Sequence, residues 1–178
     1  MGVGTGIIPS INLSRGTLLM ILVLLGTFHI EFKRPLIEID KLCRNGQLQE
    51  TIVIQNGHTL FESSYFDMRP FITPNDLDKL YDDARIIITH AGTGSIIKGL
   101  KKGKKIVAIP RLKKYGEHID DHQLEILNEF VALGYILPWN ENDHLEKIML
   151  EIINFNPKPY ISRKKDIEEF LKNYIDSL

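Results

Sequence analysis

From residue 19 onward, short runs of Ile, Val and Leu alternate with segments of helical periodicity. Strands that are apolar on both faces and separated by helices specify successive βαβ units, because parallel strands need a helical crossover. Strands are expected at residues 19–25, 51–55, 85–89 and 105–109, the last closed by Pro110, with a final short one at 135–137. A further extended piece at 65–72 is interrupted by Pro70, which confines it to a sheet edge. Between them, residues 32–42 place Leu36, Ile39 and Leu42 on one helical face. Thr73-Pro74-Asn75-Asp76 is a helix start: a hydroxyl cap, proline at the first position and acid in the first turn. Helices are also expected from 93 to about 102, from 120 to 133 with Leu124, Leu127, Phe130 and Val131 inward, and on the outside at 143–154 and 163–175. The fold class is α/β, a doubly wound parallel sheet whose ligands bind beyond the carboxyl ends of the strands where strand order reverses.

The 178 residues suit one domain, at roughly 150 residues per domain, preceded by a flexible leader at 1–18. The apolar run at 18–25 is ended by Gly26-Thr27, well short of the roughly 20 residues a membrane helix needs. Lacking a basic start and a small-residue cleavage pattern, it is read as a buried strand, not a secretory signal, and Met20 is a candidate initiator. Lys+Arg 22 against Asp+Glu 23 leaves a net charge of −1, so no uniform positive field calls for nucleic acid as a partner. The single cysteine, Cys43, permits no intrachain disulfide and is expected as a small buried apolar residue.

Three segments carry chemistry. His90-Ala91-Gly92-Thr93-Gly94-Ser95 turns a strand into a helix, an arrangement that aims backbone N–H groups and the positive helix end at an anion. Neither the P-loop spacing nor GxGxxG is present, since the third glycine position is Ile97. Gly26-Thr27 follows the first strand and opens at the same sheet edge. Glu117-His118-Ile119-Asp120-Asp121-His122-Gln123 admits three readings: a metal site if His118 and His122 share an early helix face, a helix start with acid in its first turn, or fixed donors and acceptors for sugar hydroxyls.

Leu25-Gly26-Thr27-Phe28, residues 90–95, residues 103–111 and residues 116–123, four motifs in order over roughly 20–140, closely resemble the donor-binding half of glycosyltransferases related to MurG. The nearer resemblance is to small exopolysaccharide and capsule subunits of the PssE and EpsF type, and to the catalytic subunit of dolichol-linked N-acetylglucosaminyltransferase. This resemblance implies a Rossmann-like single half of a glycosyltransferase B fold, binding a UDP-sugar, either galactose or N-acetylglucosamine, inverting the anomeric centre and using no metal or other cofactor. Gly92, Thr93, Gly94 and Ser95 would hold the diphosphate, and Gly26 and Thr27 would face the same cleft. Asp120, Asp121, His122 and Gln123 would contact sugar or ribose hydroxyls, with Glu117 and His118 also in the donor-binding set. His90 would stabilise the leaving diphosphate as a cation or N–H donor. Where MurG-like members often carry a ribose-binding glutamate this chain has Lys98, expected as a solvated helix residue or a phosphate contact, and Phe28 replaces a histidine found in some capsule relatives.

By the same resemblance, the acceptor half and the general base belong to a separate, membrane-anchored partner presenting a lipid-linked acceptor. The chain itself would be cytoplasmic and peripheral at the membrane face. Arg111, Lys113 and Lys114, with Lys101, Lys102, Lys104 and Lys105, form a basic cluster expected either to meet phosphates or an anionic membrane or to be ordinarily solvated. The alternatives are a non-catalytic stimulating subunit, and an unrelated phosphate-binding protein or a metal hydrolase using His118 and His122.

Overall fold

The computed structural model describes residues 19–162. The expected leader at 1–18 and the helix at 163–175 lie outside them. Six parallel strands form one sheet: β1 (Met20–Leu24), β2 (Thr51–Gln55), β3 (Phe66–Arg69), β4 (Ile86–His90), β5 (Lys105–Ile109) and β6 (Leu137–Pro138), in the order β3-β2-β1-β4-β5-β6. The connecting helices are α1 (Arg34–Arg44), α2 (Pro74–Asp83), α3 (Thr93–Lys101), α4 (His122–Ala132) and α5 (Leu145–Asn154). The doubly wound fold is as expected, and β3 with its following Pro70 is an edge strand.

Period-two alternation divides the strands' side chains between two cores. Ile21, Val23, Ile52, Ile54, Ile86, Ile88, Val107 and Ile109 face α1 and α5, meeting Leu36, Ile39, Ile148 and Ile152. Leu22, Leu24, Val53, Ile87, Ile106 and Ala108 face the other helices, meeting Tyr81, Ile96, Leu100 and Leu127. The α5 helix thus packs on the outside of the sheet as part of the layer that covers this face, with Leu145, Ile148, Met149 and Ile152 all buried. Cys43 is buried, and burial pushes its thiol up to about 11, so it is an inert core residue.

The α2 helix starts as its sequence dictates: Thr73 Oγ1 accepts the Asp76 N–H at 3.3 Å, and Pro74 occupies the first turn. Two boundaries differ from expectation. The α4 helix begins at His122, not 120, because the Asp120 and Asp121 carboxylates are occupied with backbone N–H groups of the loop (see below). The last strand begins at Leu137 because Gly134 and Tyr135 close α4, Tyr135 N–H donating to the Phe130 carbonyl at 3.1 Å. Leu127 is the buried apolar residue of α4, while Leu124, Phe130 and Val131 are half-buried.

Candidate functional site

The reversal of strand order falls between β1 and β4, which pair in register with Leu24 opposite Thr89, so the turns after these strands lie side by side. The His90 ring is wedged between them. Its Nδ1 lies 3.2 Å from the Leu24 carbonyl oxygen, which can only accept, so Nδ1 carries the proton and Nε2 is left as an acceptor. A Cβ on Gly26 would come within 2.9 Å of the ring, and one on Gly92 would overlap Nε2. Gly26 also has φ 80°, in the left-handed region, whereas Gly92 has an ordinary φ of −88° and is required for space alone.

His90 corrects one expectation. Burial first, then the neighbouring charges of Arg111 and His118, lowers its pKa below the ordinary 6.5, against the bond to Leu24. At neutral pH the ring is uncharged and its one N–H is already committed, so it is neither a cation nor a free N–H donor. Because the folded pKa is depressed, the unfolded chain takes up this proton first. The stabilisation from neutral His90 is therefore complete above pH 6.5 and is lost as pH falls through 6.5 toward the depressed folded value. The expected result is a melting temperature that declines below pH 6.5, a decline made shallower by His90→Gln, and an NMR titration of the wild-type His90 ring with its midpoint below 6.5.

The α3 helix opens at Gly92, which offers no side chain to cap it. Thr93 and Gly94 are exposed, a Cβ on Gly94 would meet open space, and the Gly92 carbonyl is taken by Ile96 N–H at 3.2 Å. An uncapped first turn with small residues and the positive dipole end is shaped to receive an anion. Below it, the Tyr81 hydroxyl donates to the Ser95 carbonyl at 3.1 Å, fastening α3 to α2. Lys98 is committed to the α2 side: its Nζ is 3.3 Å from Asp78 and 4.9 Å from the Tyr81 ring centroid.

The polar segment 110–123 is mostly internal scaffolding. The Glu117 carboxylate, 6% exposed, receives Arg34 Nε at 3.0 Å, Arg34 Nη2 at 2.8 Å and the Leu112 N–H at 3.0 Å. Gln123 is buried with its Oε1 accepting the Arg111 N–H at 3.0 Å. Neither carboxylate nor amide carbonyl is turned to a ligand, which corrects the assignment of Glu117 and of the Gln123 oxygen to the donor. Arg111 is also not a surface cation: it is 1% exposed and bonded to three backbone carbonyls. The basic cluster is dispersed further by Lys102 pairing with Asp78 and Asp82, Lys104 bonding the Asp82 carbonyl, Lys105 bonding the Ile152 carbonyl, and Lys114 pairing with Glu141.

The remaining polar residues lie in the loop that precedes α4 and at its first turn. Asp121 accepts the Lys113 N–H at 2.9 Å and Asp120 the His122 N–H at 3.1 Å; both residues are exposed. The His118 ring packs 4.7 Å from Phe28, which is 4.5 Å from His29, so an aromatic cluster joins the β1 turn to this loop. Since α4 begins at His122, His118 lies in non-helical backbone, and the shared helical face that a His118–His122 metal site required is not formed. Among the described residues no group of three or more His, Cys, Asp or Glu side chains converges, and no helix is long and apolar enough to cross a membrane. The residues that sequence reasoning missed as scaffold are Arg34 and Arg111. Arg111 follows directly on an apolar strand and a proline, but only the fold supplies the carbonyls that make its burial tolerable.

Residues 20–178 match the glycosyltransferase family 28 C-terminal domain. The chain is 36% identical over 81 residues to the UDP-N-acetylglucosamine transferase subunit ALG13 of Candida albicans (46% of this chain, 26% of that protein). It is 32% identical over 109 residues to the subunit of the same name of Debaryomyces hansenii (58% of this chain, 50% of that protein). The matches thus span a quarter to a half of these relatives' length. Among solved structures, MurG of Acinetobacter baumannii superposes with a TM-score of 0.52 at 17% identity, covering 80% of this chain and 42% of that one. The shared feature at that identity is the fold, a Rossmann-like domain that covers 42% of that chain.

Proposed function

The chain belongs to the glycosyltransferase family 28 C-terminal domain family, and from that premise we propose that it binds the nucleotide-sugar donor in a two-component glycosyltransferase. The observation that supports this reading is the pair of glycine turns after β1 and β4, locked together by His90 beside the uncapped N-terminus of α3. The donor is a UDP-sugar. Thr93, Gly94 and Ser95 present backbone N–H groups to its diphosphate, while Gly26 and Thr27 form the opposite lip. Asp120, Asp121, His118 and His122, at the rim, are placed to meet sugar and ribose hydroxyls. As the bond from the anomeric carbon to the diphosphate oxygen breaks, charge accumulates on the leaving group, and prepositioned N–H dipoles stabilise it without a metal.

N-acetylglucosamine is the favoured sugar, because both relatives compared carry it in their names; the capsule-type resemblance makes galactose the competitor. The acceptor, the general base and the membrane attachment are assigned to a partner subunit carrying the other half of the fold, with a lipid-linked sugar as acceptor and this chain peripheral on the cytoplasmic face. The second reading, a non-catalytic stimulating subunit, is favoured only by Lys98, which is held to Asp78 instead of being free for the ribose.

Calorimetric titration with UDP, UDP-N-acetylglucosamine and UDP-galactose, with and without chelator, tests the proposal. Chelator-insensitive UDP binding is expected, and absence of binding to any of the three counts against it. Gly94→Asp sharpens the test. A carboxylate in the first turn of α3 favours the helix by about 0.3–1 kcal/mol, so the melting temperature should hold or rise. The same charge at the diphosphate site should weaken UDP by roughly tenfold or more while leaving uridine little changed. Equal loss of both would move the diphosphate off α3.

A further inference from the structure

The Arg111 guanidinium is a buried cation for which the proposed function does not account. It is 1% exposed, and its fork reaches both stems of the β1 turn: Nη2 donates to the Leu25 carbonyl at 2.9 Å and Nη1 to the Ile30 carbonyl at 2.7 Å. Nη1 also donates to the Glu117 carbonyl at 3.0 Å, and the rings of Phe32 and Phe28 lie 4.8 and 5.9 Å from the guanidinium carbon. Among the described residues no carboxylate forms an ion pair with it. The nearest acid chemically, Glu117, gives its carboxylate to Arg34. The Arg111 Nε is buried without a partner. Burial pushes the group down to about 10, against the upward pull of the nearby Glu117 carboxylate, and it stays charged at neutral pH. Its field reaches the site, since it is one of the charges that hold the His90 ring neutral between the two glycine turns.

A buried cation bonded only to neutral carbonyls and carrying an orphaned N–H is costly, and such groups persist where a function uses them. We infer that Arg111 is the positioning residue of the donor site: its fork fixes the Gly26–Thr27 turn, and the net positive charge that Arg111 and Arg34 keep around the one Glu117 carboxylate attracts a nucleoside diphosphate, whose phosphates complete the charge balance. This inference rests on the donor-binding reading and deepens it. Arg111 need not touch the phosphates, because across a cleft wall of low polarity a full charge acts over several ångströms.

The test measures UDP and uridine affinity, at two salt concentrations, for the full chain as wild type, Arg111→Met and Arg111→Lys. In the wild type UDP should bind more tightly than uridine. Arg111→Met should lose roughly tenfold or more for UDP, less than about threefold for uridine, and much of the salt dependence. Arg111→Lys, which retains charge but cannot span both carbonyls, should bind both ligands more weakly and recover most of the UDP-to-uridine ratio. A purely structural arginine would lower both affinities in parallel, with no recovery of the ratio by lysine, and that result overturns the inference. So does UDP binding unchanged in Arg111→Met. If Arg111→Met lacks the wild-type circular dichroism spectrum, Arg111→Gln replaces it; failure of both to fold, beside a folded Arg111→Lys, assigns the residue to stability and overturns the inference. A wild type that binds no nucleotide defeats the donor-binding reading first, and a wild type that binds while the variants bind equally defeats only the inference.

Discussion

Gly92→Ala should abolish measurable UDP binding, a loss of roughly thirtyfold or more, through one added methyl group. The methyl overlaps Nε2 of His90, and the ring cannot retreat because Gly26 lies on its other side and Nδ1 is tied to the Leu24 carbonyl. Either the ring moves, dragging the β1 turn, or the start of α3 shifts. In both cases the two lips of the cleft separate, and small displacements of positioned groups carry large costs. Overpacking of this kind costs about 1–3 kcal/mol, so the melting temperature should fall by roughly 3–10 °C while the far-ultraviolet circular dichroism is retained. The double variant His90→Ala/Gly92→Ala discriminates between causes. With the ring removed, the melting temperature should recover relative to Gly92→Ala, because the two sites share one contact and are not additive. Binding should not recover, because nothing then holds the turns in register. Recovery of both would reduce His90 to a steric obstacle.

The second large effect concerns Glu117. Replacing it with Ala removes an acceptor from two Arg34 nitrogens and from the Leu112 N–H at once. Breaking a buried pair costs about 3–5 kcal/mol. Arg34 is 23% exposed on its side chain and can recover some hydration, so about 2–4 kcal/mol is expected here, or a fall of roughly 5–12 °C in melting temperature. Glu117→Gln, which can still accept from one partner, should fall less. The ratio of UDP-sugar to UDP affinity should be unchanged in both variants. A change in that ratio without a change in melting temperature would return Glu117 to the sugar and contradict the observed hydrogen bonds.

Glu117 also illustrates where sequence reading stops. Strands such as Thr51–Gln55 and Lys105–Ile109 are legible to the residue, since β-branched runs bounded by Asn56-Gly57 or Pro110 leave little choice. The cap at Thr73 is legible for the same local reason. The two glycine turns could be located because strand, glycine and helix follow in order along the chain. The polar residues of 111–123 could not be sorted, because a carboxylate that binds a sugar and one that binds Arg34 have the same local pattern. What separates them is a partner 83 residues away. The lysines between 101 and 114 left two readings open for the same reason: adjacent in sequence, Lys102, Lys105 and Lys114 part to Asp78 and Asp82, to Ile152 and to Glu141 once the helices pack.

The Arg111 fork has a consequence for the order of events in folding. The β1 turn spans residues near 26 to 30, yet its closing bonds come from a side chain 81 and 86 positions later. Contacts of such separation form after local structure, because chain entropy must be lost before they stabilise anything. A nascent chain would therefore hold β1, β2 and β4 in place with the turn still slack, and the cleft would take its shape only after β5 and the segment beyond it had docked. In refolding, nucleotide affinity should accordingly appear after the helical signal has returned, and in native-state hydrogen exchange the amides of the turn should open together with those flanking Arg111.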